Sequence, residues 1–220
     1  MKADLLDWLY TGITGHFQIA GHLQIDRWTF KYIDKIVLEV GCGHGHHLHY
    51  CRNSYPRYIG LDIERKFLKT LQDRFDKKIL VQGDAYDLPL QDKSIDCVLS
   101  IYNFEHLRRL PESLGEIHRV LKPEGELMIG IPLEGGWIYE LGRRFTSKIY
   151  MERKYGIDYD AIVHWEHWNS FSEILEMVQD KFKIGERCFI PLSFLPCAHV
   201  NVIQCLRTRP KSSPDKSEAF

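Results

Sequence analysis

The sequence lacks several features that would assign it to common protein classes. Its 220 residues contain no apolar run near 18 residues and no charged-then-apolar leader, so we expect neither a transmembrane span nor a cleaved signal. The formal net charge is −1, which provides no basic field for a nucleic-acid partner. The six cysteines form no C-x-x-C pair, which suits free thiols in a reducing compartment. We therefore predict a cytoplasmic protein with one substantial domain.

The most informative segment is an apolar run followed by glycines at alternate positions. Residues 36–40 are rich in Ile and Val, which is typical of a buried parallel strand, and they include the acid Glu39. Gly41, Gly43 and Gly45 follow. Glycine has no Cβ, so the backbone can turn sharply here and approach a ligand closely. The polar run after the glycines can open a helix whose amides face the loop, and the whole unit predicts a cofactor site.

The glycine spacing argues against a nicotinamide dinucleotide as this cofactor. A dinucleotide fingerprint needs G-x-G-x-x-G, and the position of its third glycine is occupied here by His46. With Glu39 two residues before Gly41, the segment instead resembles the first motif of the class I S-adenosylmethionine (SAM) methyltransferases, E/D-x-G-x-G-x-G.

The resemblance to this family continues in unbroken order over roughly residues 36–132. The run LPLQDKSIDCVLS resembles the "LPF-x-DxSFDVV" stretch of the branch often labelled type 11, with Leu90 and Ile95 in place of Phe. It is followed by "EHL" and by EIHRVLKPEGEL, which is similar to "E-x-x-RVLKPGG-x-L". The resemblance implies SAM as cofactor and S-adenosylhomocysteine as product. It also implies a three-layer Rossmann-like α/β sandwich, whose seven-stranded sheet is mostly parallel with an antiparallel last strand.

Acids at the ends of two further apolar runs are candidate cofactor ligands. Asp62 can accept hydrogen bonds from ribose hydroxyls, although it could also cap the next helix, and the two roles are compatible. The resemblance implies that Asp84 accepts from the adenine amino group and that the Ala85 amide contacts the ring. The predicted cofactor residues are Glu39, Gly41, Cys42, Gly43, Gly45, Asp62, Ile63, Asp84, Ala85, Ser100 and Tyr102.

Three histidines are candidate catalytic residues. An alcohol or phenol acceptor needs a base, and His106 lies at the end of the fourth predicted strand, where the cleft should be. It could instead be a helix-start residue that bonds the backbone. His164 and His167 are spaced i, i+3 and could share one face of a helical turn, as bases or as a metal pair. We predict no metal site, because the histidines around the glycine loop fall where the family binds its cofactor.

Three regions outside the cofactor motifs are expected to shape the acceptor site. We predict cap helices in residues 1–33 and a methyltransferase domain in residues 34–208, followed by a disordered tail over 209–220. A lid insertion is expected at about 133–169. Part of it carries five basic residues against one acid, which suits an anionic group, an anionic membrane surface or a solvated helix face. An apolar loop, 191–197, could pack under the lid or touch a lipid or a partner.

These observations predict a SAM-dependent methyltransferase that acts on an O or N atom of a small molecule. A phosphate- or lipid-linked acceptor, such as a glycan or lipid precursor, would fit, with peripheral membrane contact. A protein or RNA acceptor and a non-catalytic SAM-fold partner subunit are the alternatives. The fourth predicted strand lacks the N/D-P-P-Y/F end of amino-methylating nucleic-acid enzymes. The intact glycines, Asp62 and Asp84 argue against a degenerate copy.

Overall fold

A computed structural model of the chain describes residues 10–32, 34–53, 55–156 and 167–212. The strands are β1 (Ile36–Val40), β2 (Arg57–Asp62), β3 (Ile79–Gln82), β4 (Ile95–Ile101), β5 (Leu121–Pro132), β6 (Phe182–Ile190) and β7 (Ile203–Pro210). The α-helices in this part of the chain are α1 (Gly12–Thr29), α2 (His46–Tyr50), α3 (Arg65–Arg74), α4 (Leu110–Val120), α5 (Trp137–Arg143), α6 (Ile149–Tyr155) and α7 (Phe171–Lys181). A π-helical turn, Arg144–Lys148, joins α5 to α6.

All seven strands form one sheet in the order β3-β2-β1-β4-β5-β7-β6. The first five strands are parallel to one another, whereas β7 runs antiparallel to both β5 and β6. The predicted mostly parallel sheet with an antiparallel last strand is therefore confirmed. The strand order reverses between β1 and β4, and a cleft forms outside the carboxyl ends of the strands at such a point.

The sheet buries a hydrophobic core on each face. Alternation along β1 sends Val37 to one core and Leu38 to the other. Ile25 of α1 and Leu71 of α3 cover the first core, and Ile174 of α7 covers the second together with residues of α4. With both faces covered, the parallel strands read as continuous apolar runs, which is why they are recognisable in the sequence.

Two local features of the C-terminal part show where sequence patterns succeed and fail. Ser170 stands three residues before Glu173, a spacing that predicts a capping box at the start of α7. The structure confirms it, with the Ser170 side chain accepting from the Glu173 amide and the Glu173 carboxylate from the Ser170 amide. The sequence pattern predicts a last strand over 199–207, but the strand spans 203–210. Residues 198–200 form a 3₁₀ turn instead. The side chain of the buried Asn201 forms hydrogen bonds with the backbone of the loop before it.

Several sequence predictions fall on residues outside the described ranges. These include His164, the first nine residues of the predicted cap region, and most of the predicted tail. The predicted cap region is represented by α1 and the 3₁₀ turn of residues 30–32. Among the helices that the structure describes, none is both long and apolar enough to cross a membrane.

Candidate active site at the carboxyl ends of the parallel strands

The glycine loop after β1 has the conformation that its residues predict. Gly41, Gly43 and Gly45 all have positive φ, of 75°, 50° and 80°. A Cβ on Gly41 would lie 2.4 Å from the Asn103 side chain, so this glycine lets Asn103 pack against the loop. A Cβ on Gly43 would meet nothing within 4 Å, so the loop is open there. Gly43 therefore marks the place where a ligand can approach the backbone.

The Asp62 side chain, at the end of β2, forms hydrogen bonds with both the glycine loop and the turn that follows β2. Its Oδ2 accepts from the Gly43 amide at 2.9 Å, and its Oδ1 accepts from the Glu64 amide at 2.9 Å. Each carboxylate oxygen keeps further acceptor capacity, which ribose hydroxyls can use. Burial raises the pKa of Asp62, although these two hydrogen bonds oppose the shift. The neighbouring Ile63 side chain is 64% exposed at the same edge.

The turn after β3 contains the two residues that are predicted to contact adenine. Asp84 Oδ1 accepts from the Tyr86 amide at 3.0 Å, and Asp84 pairs with Asp87 in an isolated bridge. Ala85 is half-buried between them. The turn lies beyond β2 at the carboxyl edge of the sheet, on the same side as Asp62. The contacts of Asp84 and Ala85 with adenine stay predictions.

Three predicted cofactor residues direct their side chains into the protein beneath the glycine loop. Glu39 is buried, and its Oε2 accepts from the Tyr58 hydroxyl at 2.6 Å. Burial raises the pKa of Glu39 to about 8. Cys42 is buried against Gly60, and the Ser100 hydroxyl accepts from the Asn103 amide at 3.2 Å. These side chains support the loop from below, and their contact with the cofactor stays a prediction.

Tyr102 connects the end of β4 to α1. Its backbone has a positive φ of 54°, and its hydroxyl donates to the Gln18 carbonyl at 2.9 Å. A Cβ on Gly21 would lie 2.0 Å from that hydroxyl, so the glycine in α1 makes room for the tyrosine. The hydroxyl is thus occupied by α1, and only the ring remains available to line the cleft.

Tyr10 reaches the glycine loop from the chain segment before α1. Its ring stacks on His46 with the centroids 4.1 Å apart, and its hydroxyl lies 2.7 Å from His22 Nε2. Burial raises the pKa of Tyr10 strongly, and the nearby Glu39 and Glu105 carboxylates add to the shift. Tyr10 therefore sits between the cofactor loop and the residues that follow β4. The sequence analysis missed it, since no motif surrounds it.

Acids and histidines from several segments form a cluster around the turn after β4. The His106 and His167 rings meet edge to face with centroids 4.6 Å apart. His167 Nδ1 lies 2.5 Å from Glu134 Oε1, which also accepts from the Tyr139 hydroxyl at 3.0 Å. The structure thus brings together two of the three predicted catalytic histidines and adds Glu134, which follows β5.

Glu105 is a buried acid of this cluster. It is 3% exposed, and its Oε2 has no hydrogen-bond partner in the part of the chain that the structure describes. Burial raises the pKa of Glu105, while the positive potential of His106 and His167 opposes the shift. A buried carboxylate oxygen without a partner carries a desolvation cost that a ligand donor would relieve.

Asn169 holds the acceptor side of the cluster together, and sequence reasoning missed it. Its side-chain amide donates to the Phe104 carbonyl at 2.8 Å and to the Leu107 carbonyl at 2.7 Å. The Trp168 amide donates to the Glu105 carbonyl at 2.7 Å. The segment before α7 is thereby fixed to the turn after β4. Across the described ranges, the acids, histidines and cysteines include no group of three arranged to hold a metal ion.

Comparison with known proteins agrees with this architecture. A family model described as "Methyltransferase domain" matches residues 38–129. A fatty-acid O-methyltransferase of Mycolicibacterium smegmatis is 40% identical over 95 residues, which are 41% of this chain and 35% of that protein. A phthiotriol/phenolphthiotriol dimycocerosates methyltransferase of Mycobacterium ulcerans is 42% identical over 101 residues, which are 43% of this chain and 36% of that protein.

The matched segments thus span little more than a third of these two relatives. A solved SAM-dependent methyltransferase structure from Thermotoga maritima superposes with a TM-score of 0.64 and 19% identity, over 96% of each chain. That likeness shows the fold. The glycine loop, Asp62 and Asp84 all lie within the residues that match the methyltransferase domain, on a sheet with the fold of that structure.

Proposed function

We propose that the protein transfers the methyl group of SAM to a hydroxyl oxygen of a small-molecule or lipid acceptor. The observation that carries the proposal is the His167–Glu134 pair beside His106 and Glu105, at the edge of the sheet where the cofactor loop also lies. The cytoplasmic location, the domain boundaries and the mobility of the 133–169 segment stay predictions.

The cleft fits SAM on two observations of this structure. The open space at Gly43 lets a ligand approach the loop backbone, and the Asp62 carboxylate beside it can accept from ribose hydroxyls. Ile63 offers an exposed apolar surface next to Asp62. We assign Asp84 and Ala85, which follow β3, to the adenine. When bound, SAM supplies an electrophilic methyl group on a sulfonium, so the protein has mainly to position the acceptor and remove its proton.

His167 is the base in this proposal, and Glu134 orients it. In this proposal the hydrogen lies on Nδ1, which is 2.5 Å from Glu134 Oε1, and Nε2 keeps its lone pair. The acceptor hydroxyl would give its proton to His167 Nε2, and its oxygen would receive the methyl group that SAM, held at the glycine loop and Asp62, would supply. The imidazolium that results is stabilised by Glu134, and the Tyr139 hydroxyl holds that carboxylate in place.

The acceptor class is inferred from the site and from the relatives. We assign the Glu105 Oε2, which has no hydrogen-bond partner among the described residues, to a second O–H or N–H group of the acceptor. The two relatives described above are methyltransferases named for fatty acids and for phthiotriol lipids, which supports an acceptor with a long apolar portion. The preference for oxygen rests on the base, because an amine acceptor needs only to be held unprotonated.

The proposal is tested by transfer of radiolabelled methyl groups from SAM to a panel of hydroxylated lipids, fatty acids and phosphorylated alcohols. We expect His167→Asn to lower kcat roughly 100-fold or more while leaving SAM affinity unchanged, because a general base contributes about that factor. Glu134→Gln should lower kcat less and displace the acidic limb of the kcat–pH profile. His118→Asn is the matched control, since His118 lies on α4 and contacts the Lys211 carbonyl.

Two outcomes would contradict the proposal at different levels. If the folded wild-type protein binds neither SAM nor S-adenosylhomocysteine in calorimetry, the proposal of methyl transfer is wrong. A non-catalytic partner subunit is then favoured. Full activity of His167→Asn would show that His167 is not the base. A kcat that does not change with pH would then indicate an ionised carboxylate acceptor, which needs no deprotonation.

A further inference from the structure

The segment after β5 exposes a row of large apolar side chains. Trp137, Leu141, Phe145 and Ile149 follow one another at intervals of four residues along α5, the π turn and α6. Their exposed fractions are 61%, 52%, 66% and 38%. Scattered exposed apolar residues are ordinary on protein surfaces, but a continuous row of four is typical of an interaction surface.

The π turn keeps this row on one side of the helix. Four residues exceed the 3.6 residues of an α-helical turn, so a row at this spacing drifts by about 40° at each step. The π turn over Arg144–Lys148 is wound more loosely and reverses part of that drift. Such turns within α-helices are rare and occur frequently at functional sites.

A rigid loop presents two more apolar side chains beside α5. Phe194 and Leu195 are 82% and 44% exposed at the tip of the connection between β6 and β7. Asn201 fixes this loop, since its Oδ1 accepts from the Leu192 amide and its side-chain amide donates to the Leu195 carbonyl. The loop abuts the start of α5, because a Cβ on Gly136 would lie 2.5 Å from the Ala198 carbonyl oxygen.

Basic side chains flank the apolar row. Arg144, Arg153 and Lys154 are exposed on the π turn and α6. From Trp137 to Tyr155 the chain carries five basic residues and two acids, within a protein of net charge −1. Apolar anchors that include Trp and Phe, flanked by Lys and Arg, are the composition of helices that lie in the interface of an anionic bilayer.

The side of the same segment that faces inward belongs to the candidate acceptor site. Tyr139 lies two residues after Trp137, and its hydroxyl contacts Glu134, the partner of His167. The six apolar residues of the row and the loop are named here the apolar surface. We propose that the apolar surface docks the protein peripherally onto an anionic lipid bilayer, which places the acceptor site beside the membrane.

Docking is measured independently of methyl transfer, because vesicle binding needs neither cofactor nor acceptor. The experiment is co-sedimentation of the full chain with vesicles of phosphatidylcholine alone and of phosphatidylcholine mixed with phosphatidylglycerol. We expect binding to the anionic vesicles. Phe145→Ser and Phe194→Ser should each weaken it about tenfold, since each removes one buried aromatic anchor.

The matched control is Phe30→Ser. Phe30 is 67% exposed, like Phe145, but lies after α1 near the amino end of β1, away from the apolar surface. The double variant Arg144→Glu/Arg153→Glu should weaken binding to anionic vesicles and leave binding to pure phosphatidylcholine unchanged. Circular dichroism checks that each variant is folded.

Three results would overturn the proposal. The first is wild-type protein that stays in the supernatant with both kinds of vesicle. The second is an equal effect of Phe30→Ser and Phe145→Ser. The third is a molar mass in light scattering that doubles without lipid and returns to that of one chain in Phe145→Ser, which would make a second copy the occupant.

Discussion

The two walls of the candidate site are built by different means. The cofactor wall, formed by residues 41–45, Asp62 and residues 84–85, consists of backbone turns at strand ends and carboxylates that accept from nearby amides. The acceptor wall, formed by Glu105, Glu134, His167 and Asn169, consists of side chains from distant segments. Asn169, for example, bonds a carbonyl 65 residues earlier in the chain. Local sequence determines the first wall, and tertiary packing determines the second.

The largest effect that separates the two walls is expected for Asp62→Ala. Its carboxylate is the acid that we propose for the ribose hydroxyls, and two hydrogen bonds to a charged group are worth about 4 kcal/mol, or roughly 1000-fold in affinity. Calorimetry with S-adenosylhomocysteine measures the loss. Asp73→Ala is the control, because Asp73 is an exposed acid on α3.

A dissociation constant of Asp62→Ala within a few-fold of the wild-type value would show that the cofactor wall lies elsewhere. A parallel loss in Asp73→Ala would point to long-range electrostatics rather than to contact. The Asp62 hydrogen bond to Gly43 also supports the loop, so thermal unfolding of the variant is followed in the same buffer.

The contrast explains what the sequence could predict. Glycine conformations and strand-end acids follow from a few adjacent residues, so the glycine loop and the position of Asp62 could be predicted, whereas the mostly parallel sheet was implied by the family resemblance. The capping box at Ser170 was accessible for the same reason. Glu134 and Asn169 could not be found this way, because a carboxylate after β5 and an amide before α7 gain meaning only when folding brings them to the turn after β4.

A second prediction concerns the histidines beneath the cofactor wall. His22 Nδ1 lies 3.3 Å from His47 Nδ1, and His47 Nε2 lies 3.1 Å from the Tyr55 hydroxyl. Burial lowers the pKa of His47 to about 4 and that of His22 well below its usual value. The unfolded chain therefore takes up these protons first, so the free energy of unfolding should fall as pH drops from about 6.5 to about 4, by about 3 kcal/mol for His47.

Urea unfolding across this pH range measures the loss of stability. His47→Gln should abolish the part of that loss that is due to His47. His16→Gln is the control, because His16 is an exposed histidine of the same helix, α1, as His22. If the difference in stability between wild type and His47→Gln does not change with pH, the buried pair does not determine acid sensitivity.

A third prediction tests the acceptor wall alone. Asn169→Ala leaves the Phe104 and Leu107 carbonyls without their side-chain donor, which should cost about 2 kcal/mol of stability. Turnover should fall about tenfold as His167 and the turn after β4 separate, because a small misplacement near the chemistry reduces rate strongly. Affinity for S-adenosylhomocysteine should stay within twofold of the wild-type value.

Asn53→Ala is the matched control for this effect. The Asn53 side-chain amide also donates to a backbone carbonyl, that of Asp26, but far from the acceptor wall. It should lower stability and leave the turnover of the folded protein unchanged. Equal turnover of the two variants, or a large loss of cofactor affinity in Asn169→Ala, would mean that the two walls are not separate units.

The smallest effect is expected for Ile63→Ser at the rim of the cofactor wall. Ile63 is 64% exposed, so its replacement should leave the free energy of unfolding nearly unchanged. A nucleoside held by Asp62 would cover this side chain, and losing that apolar contact should weaken cofactor binding by about 1 kcal/mol, roughly fivefold. Ile79→Ser is the control, because Ile79 is 59% exposed on the edge strand β3. An equal effect of both variants on affinity would exclude direct contact, whereas an effect of Ile63→Ser alone would show that the wall extends beyond the backbone to one apolar side chain.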